Sequence, residues 1–271
     1  MEILQREFAD RQSLIAYVKD LAPWAEGGAS NITGGNHAAQ NALSAIDAVE
    51  YGRTRNFGNG HITRLSPYLH HGTLDLNTVR NHALRAVENP KDITKFIQEL
   101  AWRDFWQRVA KAHPDYLWTD VEDYKTGFNA DDYADILAPD IADGKTGVAC
   151  LDAFINELMT TGYIHNHARM YIASYVVHFR RIKWQAGADW FLQHLLDGDE
   201  ASNNLSWQWV ASTFSNKPYI FNLENVQKYF GDLVDTDPLN NAILDASYDE
   251  LSARLFPNRD VNHDKDAFLV S

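Results

Sequence analysis

Apolar side chains recur at three- and four-residue intervals over long stretches of this sequence, and alternating strand-like runs are scarce. That spacing places apolar residues on one face of a helix, so it predicts an all-α fold. Glycine or proline follows the periodic segments and predicts where the helices end. The predicted helices cover residues 92–113, 151–162, 163–184 and 188–196, with stops at Pro114, Gly162, Gly187 and Gly198.

The segments between these helices carry weaker signals. The glycine-rich stretch at 27–35 follows no strand and has neither a G-x-G-x-x-G nor a G-K-[ST] pattern, so it predicts a loop. Residues 119–146 are rich in Asp and Gly and predict a long surface connection. The acidic part at 214–271 carries no recognisable motif and predicts a solvated helical region.

Composition excludes several classes of protein. The 271 residues, 45% of them apolar, are enough for one sizeable core, and we expect a single domain over 1–271. No uncharged apolar run approaches the roughly 20 residues that span a bilayer, so a soluble protein without a membrane partner is expected. The acidic start of the chain does not resemble a signal peptide, which favours a cytoplasmic location. The single cysteine, Cys150, excludes an internal disulfide and a cysteine-ligated zinc or iron–sulfur site.

Charge argues against a protein that coats nucleic acid without specificity. The net charge is −13, whereas phosphate binding requires a basic surface. Basic residues nevertheless collect in segments that are poor in acid, so a locally positive face is compatible with the sequence. These residues are Arg53, Arg55, Arg64, Arg103, Arg169, Arg180, Arg181 and Lys183.

A first polar cluster precedes Pro67, which suits the first turn of a helix. The hydroxyls of Thr63 and Ser66, with the free backbone N–H groups there, could bind a phosphate. The alternative is that Ser66 simply caps the helix. The sequence leaves both interpretations open.

A second cluster comprises Glu99, Trp102 and Arg103, which share one helix face at i, i+3 and i+4. They join a carboxylate, a ring that can stack and a guanidinium, although a surface ion pair beside a core tryptophan would show the same spacing. In a third cluster, Asn166, Arg169 and Met170 share a face in the same way. His165 and His167 are two residues apart and should diverge on a helix, which argues against a metal pair.

The segment 196–213 joins directed hydrogen-bonding groups to large rings within a short span. This combination suits a flat heterocycle with polar edges better than a packed core. The spacing of its acids and amides does not match a calcium-binding EF-hand loop. The residues concerned are Asp197, Asp199, Asn203, Asn204, Trp207 and Trp209.

Four strings, in this order and separation, carry a resemblance to a known family: TRLSPYLHHGTL, ELAWRDFW, TGYIHNHARM and LLDGDEASNNLSWQWVAST. Together they resemble the FAD-binding helical domain of the DNA photolyase/cryptochrome family, over about residues 30–213. The resemblance implies an all-α fold with FAD in a central cavity. Because no α/β antenna domain precedes the match in this chain, it is most similar to the short photolyase-like class.

The resemblance assigns expected roles around the cofactor. It implies that the segment around Thr63 holds the phosphates and ribityl chain, that Arg169 and Asp197 pair beside the isoalloxazine, and that Asn203 faces flavin N5. An amide at that position favours repair over signalling. The implied cofactor-binding residues are Tyr51, Thr63, Arg64, Leu65, Ser66, Arg103, Asn166, Arg169, Asp197, Asp199 and Asn203.

It also implies a pocket for an extruded cyclobutane pyrimidine dimer, since the related six-four photolyases carry histidines in place of Asn166 and Met170. His167 stands where dimer photolyases have an arginine. The implied catalytic residues are Glu99, Trp102, Asn166, Met170, Trp209 and Asn203, and the implied DNA-binding residues are Arg55, His167, Trp102 and Trp209.

The resemblance further implies an electron-transfer chain that begins with Trp207 and Trp184. No tryptophan occupies the expected third position, where the sequence offers only Phe128 and Tyr133, and Trp118 cannot be placed. The expected function is blue-light-driven repair of pyrimidine dimers in UV-damaged DNA, preferably single-stranded. The alternatives are a flavin light sensor or redox protein without repair, and a cofactor-free domain that binds a partner.

Overall fold

A computed structural model describes residues 4–24 and 28–259. Over these residues the chain is helical, and its only strand-like pairing is an isolated bridge between Ala134 and Ile182. The all-α prediction is confirmed. The helices are α1 (Arg11–Leu21), α2 (Asn36–Ser44), α3 (Ala48–Thr54), α4 (Ser66–His70), α5 (Leu76–Arg85), α6 (Thr94–Ala112), α7 (Pro139–Ala142), α8 (Ala149–Thr161), α9 (Asn166–Ser174), α10 (Trp184–His194), α11 (Glu200–Ala211), α12 (Leu223–Phe230) and α13 (Tyr248–Leu255).

Short turns of tighter or wider helix connect these elements. A π-helical turn continues α9, and the other turns are 3₁₀ helices. The π turn is Tyr175–Phe179, and the 3₁₀ turns are Pro90–Ile93, Pro114–Leu117, Ala130–Asp132, Pro238–Asn240 and Ala242–Leu244. No helix in the described part of the chain is long and apolar enough to cross a membrane.

The apolar side chains form two main cores. The smaller core joins α2 to α6 around Leu65, Val79 and Phe96. The larger core joins α8 to α12 around Trp184 and Phe221. Helices α6 and α11 pack against each other and connect the two halves, so the groove between the cores is walled by helices from both.

The predicted helix stops at Pro114 and Gly162 are confirmed. Asn89 caps the turn that leads into α6, and α6 ends just before Pro114. Helix α8 ends at Gly162, whose φ of 70° lies in the left-handed region that glycine adopts readily. This ending turns the chain sharply into the segment before α9.

The single helix predicted over 163–184 is wrong. Helix α9 starts three residues late, at Asn166, and the helical path breaks between Arg180 and Lys183, where Arg181 has a φ of 48°. The apolar pattern continues through this break because Ile182, although not helical, is buried in the larger core. Periodicity alone therefore could not show the interruption.

The predicted stop at Gly187 is also wrong, since α10 runs through it from Trp184 to His194. The predicted 188–196 helix is thus the second half of α10, and it ends two residues earlier than expected. A Cβ atom at Gly187 would lie 2.2 Å from Cη2 of Trp207. This glycine is required by close packing and not by a turn.

Substituting Gly187 by alanine should lower the free energy of unfolding by about 1–3 kcal/mol, the usual cost of overpacking a core. The indole of Trp207 is 2% exposed and has little room to retreat. Urea unfolding checks the result, with Gly34→Ala as the control because a Cβ there meets nothing within 4 Å. Equal stability of the two variants would contradict the packing argument.

Two predicted surface segments are in fact partly buried. Within 119–146, Tyr124, Tyr133 and Ile141 belong to the larger core, so this segment is more than a surface connection. In the acidic C-terminal part, Phe221 and Phe230 are also buried in that core. Helices α12 and α13 confirm that the C-terminal part is helical. Both segments are less exposed than predicted, because the predictions relied on their many polar residues and not on the scattered aromatic residues that anchor the chain in the core.

The predicted glycine-rich loop is confirmed over 28–35, which contains no helix. Gly27, at its start, lies outside the described residues. The same holds for the first residues of the chain, on which the targeting argument rested, and for the acidic tail from residue 260 onward.

Candidate functional site

A cavity of about 710 Å³ lies between the two cores, within the usual size range of ligand-binding sites. Helices α3, α4, α6, α9, α10 and α11 and the turn before α4 supply its walls. The predicted site residues that line it are Tyr51, Arg55, Thr63, Arg64, Leu65, Ser66, Glu99, Trp102, Arg103, Asn166, His167, Arg169, Met170, Asp197, Asp199, Asn203, Trp207 and Trp209.

A buried ion pair lies in the cavity wall. Nη2 of Arg169 on α9 donates to Oδ2 of Asp197 at 2.9 Å, and Nε of Arg169 donates to the carbonyl of Ile164 at 3.1 Å. Burial alone would raise the pKa of Asp197, but the charge and hydrogen bond of Arg169 hold it below its ordinary value. The pair therefore presents a charged carboxylate and a guanidinium held in fixed geometry.

A second acid links α6 to α11. Asp199 caps α11 by accepting from the backbone N–H of Ser202 at 2.8 Å, and its other oxygen accepts from Gln107 at 2.6 Å. Arg103 lies 3.4 Å from the same oxygen. Because both carboxylate oxygens of Asp199 accept hydrogen bonds, its position is fixed, and its contact with Arg103 holds the guanidinium along the cavity wall.

Asn203 on α11 is fixed by its own amide. Its Nδ2 donates to the backbone carbonyl of Ala188 at 3.0 Å and to Oδ1 of Asn204 at 2.9 Å. Both amide hydrogens are therefore engaged within the protein. The group that Asn203 keeps available for a ligand is its oxygen, a hydrogen-bond acceptor.

The turn before α4 differs from its prediction in one respect. Leu65 occupies the N-cap position and Ser66 is the first helical residue, with no side-chain capping bond. Ser66 is therefore not a simple N-cap, because the helix starts one residue before Pro67. Arg64, with a φ of 50°, turns the chain into this helix.

The ring of Tyr163 was not predicted as part of the site. The guanidinium groups of Arg64 and Arg169 lie 5.5 and 5.3 Å from its centroid, so two cations meet one ring at the cavity wall. Tyr163 directly follows the glycine that ends α8. The sequence signal that could have identified Tyr163 is an aromatic residue directly after a glycine that ends a helix.

The mouth of the cavity carries charge and exposed rings. Oε1 of Glu99 lies 3.4 Å from Nε of Arg55 and 3.2 Å from Nζ of Lys95. Trp102 is 50% exposed and stacks on Trp106, with centroids 5.6 Å apart and an interplanar angle of 26°. The prediction that Glu99, Trp102 and Arg103 meet at one face is confirmed, and Trp102 is not a core residue.

The opposite side of the mouth comes from α9 and α11. Nδ2 of Asn166 lies 3.8 Å from the sulfur of Met170, one turn later, which confirms their shared face. Trp209 is 41% exposed and its ring packs at a tilt against Tyr219. These side chains offer an amide, a thioether and an indole to a ligand entering the cavity.

The two histidines do not diverge as predicted. The rings of His165 and His167 are stacked at 6.2 Å because His165 precedes α9 as its cap and is not helical. His167 also stacks on Tyr229 at 5.0 Å, which holds it half-buried at the cavity wall. Among the described residues no group of three or more His, Cys, Asp or Glu could hold a metal ion.

Trp207 and Trp184 occupy different positions relative to the cavity. Trp207 lines it, whereas Trp184 does not and is fully buried behind. Trp118, which sequence analysis could not place, stacks on Trp184 at 6.5 Å with an interplanar angle of 15°. Trp106 lies four residues after Trp102 on α6, so helical spacing could have added it to the site, whereas Trp118 carried no such signal.

The cavity fits a large polar cofactor. Oδ1 of Asp197 and Oγ of Ser202 are buried and have no hydrogen-bond partner in the described structure, although both residues line the cavity. Buried polar atoms are normally paired, so these two atoms call for a ligand with polar groups. The fold and the cavity together define a helical cofactor-binding domain.

Comparison with known proteins identifies the family. Residues 96–238, more than half of the chain, match the model of the FAD-binding domain of DNA photolyase. The chain therefore belongs to this family, and its cofactor is FAD.

Two curated relatives illustrate the similarity. The chain is 34% identical to the deoxyribodipyrimidine photo-lyase of Halobacterium salinarum, covering 69% of this chain and 42% of that protein. It is 32% identical to the Escherichia coli protein of that name, covering 66% and 39% respectively. The chain thus matches about two-fifths of the length of these relatives.

Solved structures show the same fold. A class III photolyase from Agrobacterium tumefaciens superposes with a TM-score of 0.63 at 25% identity, covering 92% of this chain and 48% of that one. A cryptochrome from Synechocystis superposes with a TM-score of 0.66 at 23% identity, covering 88% and 55%. The helical fold of this chain therefore resembles that of both proteins.

Proposed function

We propose that this protein is a light-driven, FAD-dependent photolyase that repairs cyclobutane pyrimidine dimers in DNA. Bound reduced FAD would supply an electron to the dimer after absorbing blue light. The observation that carries the proposal is one cavity that joins the Arg169–Asp197 pair to a mouth with Glu99 and two half-exposed tryptophans. The names of the relatives support the same activity.

The residues at the mouth suit a pair of extruded bases. Trp102 and Trp209 offer rings on which bases can stack. Glu99 offers an acceptor for a base N–H group, held in place by Arg55 and Lys95. The contact of Asn166 with Met170 places an amide beside an apolar surface, which suits a polar base edge next to a cyclobutane ring.

We further propose that single-stranded DNA is the preferred substrate. A base in a single strand needs little energy for extrusion, and half-exposed rings bind unpaired bases without reading their sequence. The net charge of −13 disfavours the extensive phosphate contacts that duplex binding uses. Titration with the same lesion in single and double strands tests this point, and equal affinities would refute it.

The direct test starts from chemically reduced, FAD-loaded protein. Dimer-containing oligothymidine is added, the sample is illuminated with blue light, and recovery of thymine absorbance is compared with a dark control. Recovery that depends on light supports repair. Bound FAD without recovery would contradict the proposal and favour a light sensor.

Trp102→Ala should weaken binding of the dimer-containing strand by about 5- to 150-fold, which corresponds to the 1–3 kcal/mol typical of one base–aromatic stack. Binding is measured in the dark by fluorescence anisotropy of a labelled oligonucleotide. Trp24→Ala is the matched control, since Trp24 is 79% exposed and does not line the cavity. An unchanged affinity for Trp102→Ala would remove this ring from the lesion site.

A further inference from the structure

Several serine and threonine hydroxyls on the helices of this protein bond back to a carbonyl one turn earlier. Oγ of Ser44 on α2 donates to the carbonyl of Gln40 at 2.9 Å, and Oγ1 of Thr54 on α3 donates to that of Glu50 at 2.8 Å. Ser202 on α11 differs, because its hydroxyl oxygen is buried and has no hydrogen-bond partner within the described residues. Buried polar groups are normally paired, so this hydroxyl requires an explanation.

The start of α11 fixes Ser202 and leaves its hydroxyl free. Helical serines commonly bond to the carbonyl four residues earlier, but for Ser202 that residue is Gly198, which precedes the helix. The N-cap residue, Asp199, accepts from the backbone N–H of Ser202 at 2.8 Å, which holds the backbone and not the hydroxyl. Ser202 also lines the cavity. Its free hydroxyl therefore lies beside the space that a ligand would occupy.

Two hydrogen-bond acceptors flank this hydroxyl along the chain. Oδ1 of Asp197 is buried without a partner among the described residues. Burial acts to raise the pKa of Asp197, but Arg169 keeps it below its ordinary value, so this oxygen can only accept. Both amide hydrogens of Asn203 are used within the protein, which leaves its oxygen as an acceptor. Asp197, Ser202 and Asn203 thus offer an acceptor, a donor and an acceptor in chain order.

One edge of a reduced isoalloxazine ring has the complementary order. Its N3–H, C4 carbonyl and N5–H groups follow one another as a donor, an acceptor and a donor. The oxygens of Asp197 and Asn203 can accept from N–H groups, but a carbonyl between two N–H groups needs a donor, which a serine hydroxyl supplies. Reduction adds electron density to the ring carbonyls, and a hydrogen bond strengthens when its acceptor gains negative charge.

We propose that the hydroxyl of Ser202 donates a hydrogen bond to the C4 carbonyl of bound FAD and thereby favours the reduced cofactor. The inference rests on the proposed function, because repair starts from reduced FAD. It assigns Ser202 a contact with the cofactor for which its backbone is already fixed by Asp199. The bond is stronger in the reduced state than in the oxidised state, so Ser202 raises the reduction potential of the flavin.

Ser202→Ala removes only the hydroxyl and keeps a good helix former. The affinity for oxidised FAD should fall about 2- to 10-fold, as expected for the loss of one hydrogen bond. The affinity for reduced FAD should fall several-fold more, so the midpoint potential of the bound flavin should become more negative. Flavin fluorescence measures the affinity, and an anaerobic spectroelectrochemical titration measures the potential. Ser252→Ala is the control, since Ser252 is a half-buried serine on α13 that does not line the cavity.

Two further measurements separate a cofactor contact from a structural role. The hydroxyl has no protein partner among the described residues, so the cofactor-free Ser202→Ala protein should be as stable to urea as the wild type. Ser202→Thr keeps a hydroxyl and should restore the midpoint potential toward the wild-type value. A destabilised cofactor-free Ser202→Ala protein would overturn the proposal. An unchanged potential in Ser202→Ala would also overturn it, and would mean that another group, such as Arg169, provides the donor.

Failure of this inference is distinguishable from failure of the proposed function. Affinities and potentials are measured in the dark and without DNA, so they do not depend on repair. A wild type that does not repair dimers, with a potential that becomes more negative in Ser202→Ala, would refute the repair proposal alone. A wild type that repairs dimers, with a potential that does not depend on Ser202, would refute the role of this hydroxyl alone.

Discussion

Replacing Asp197 by alanine should lower the free energy of unfolding by about 3–5 kcal/mol and abolish stable FAD binding, because it leaves the guanidinium of Arg169 without its partner. The carboxylate side chain is only 2% exposed, and its 2.9 Å bond to Arg169 joins α9 to the turn before α11. The second carboxylate oxygen of Asp197 is also one of three buried atoms at the cavity that have no hydrogen-bond partner, with Nε2 of His165 and Oγ of Ser202.

Urea unfolding of the cofactor-free protein measures the loss of stability, and the ratio of FAD to protein after gel filtration measures retention. The matched control is Asp104→Ala, which breaks an equally short ion pair with Arg108 on the surface of α6. Exposed pairs contribute about 0–1 kcal/mol, so this variant should remain near wild type and retain FAD. Similar losses of unfolding free energy in the two variants would show that burial does not determine how much the Arg169–Asp197 pair contributes to stability.

Part of the candidate site could be predicted from the sequence because helical spacing alone brings its residues together. Glu99, Trp102 and Arg103 share a face because helical spacing alone determines it, and the same holds for Asn166 and Met170. These groupings depend on contacts between residues three or four apart. Resemblance to the family then related the separate segments, and the cavity brings their residues together.

The sequence could not predict features that depend on contacts between distant segments. The sequence predicted a helix stop at Gly187, whereas the glycine is required by the ring of Trp207, which packs on it from twenty residues away. Trp118 had no assigned place because its partner, Trp184, is even more distant in sequence. The break at Arg181 was hidden by the buried Ile182, which preserved the apolar periodicity.

Acid should destabilise the protein through two buried histidines. Burial lowers the pKa of His178, on the π turn, and of His165, at the cavity wall, to about 4 each. Unfolding restores their ordinary pKa of about 6.5, so the unfolded chain binds more protons in this range. Their contribution to stability is therefore complete above about pH 6.5 and declines as the pH falls toward 4.

At pH 5 each histidine should have lost about 2 kcal/mol of stabilisation, since one pKa unit corresponds to about 1.4 kcal/mol. Nε2 of His178 lies 2.9 Å from the carbonyl of Val210, to which a glutamine amide can also donate. His178→Gln should therefore follow a shallower decline than the wild type between pH 7 and pH 5. Urea unfolding at both pH values measures the difference, and the paired carboxylates, common to both proteins, cancel from it. Parallel pH profiles would mean that His178 takes up its proton without unfolding, and that the π turn accommodates a charge.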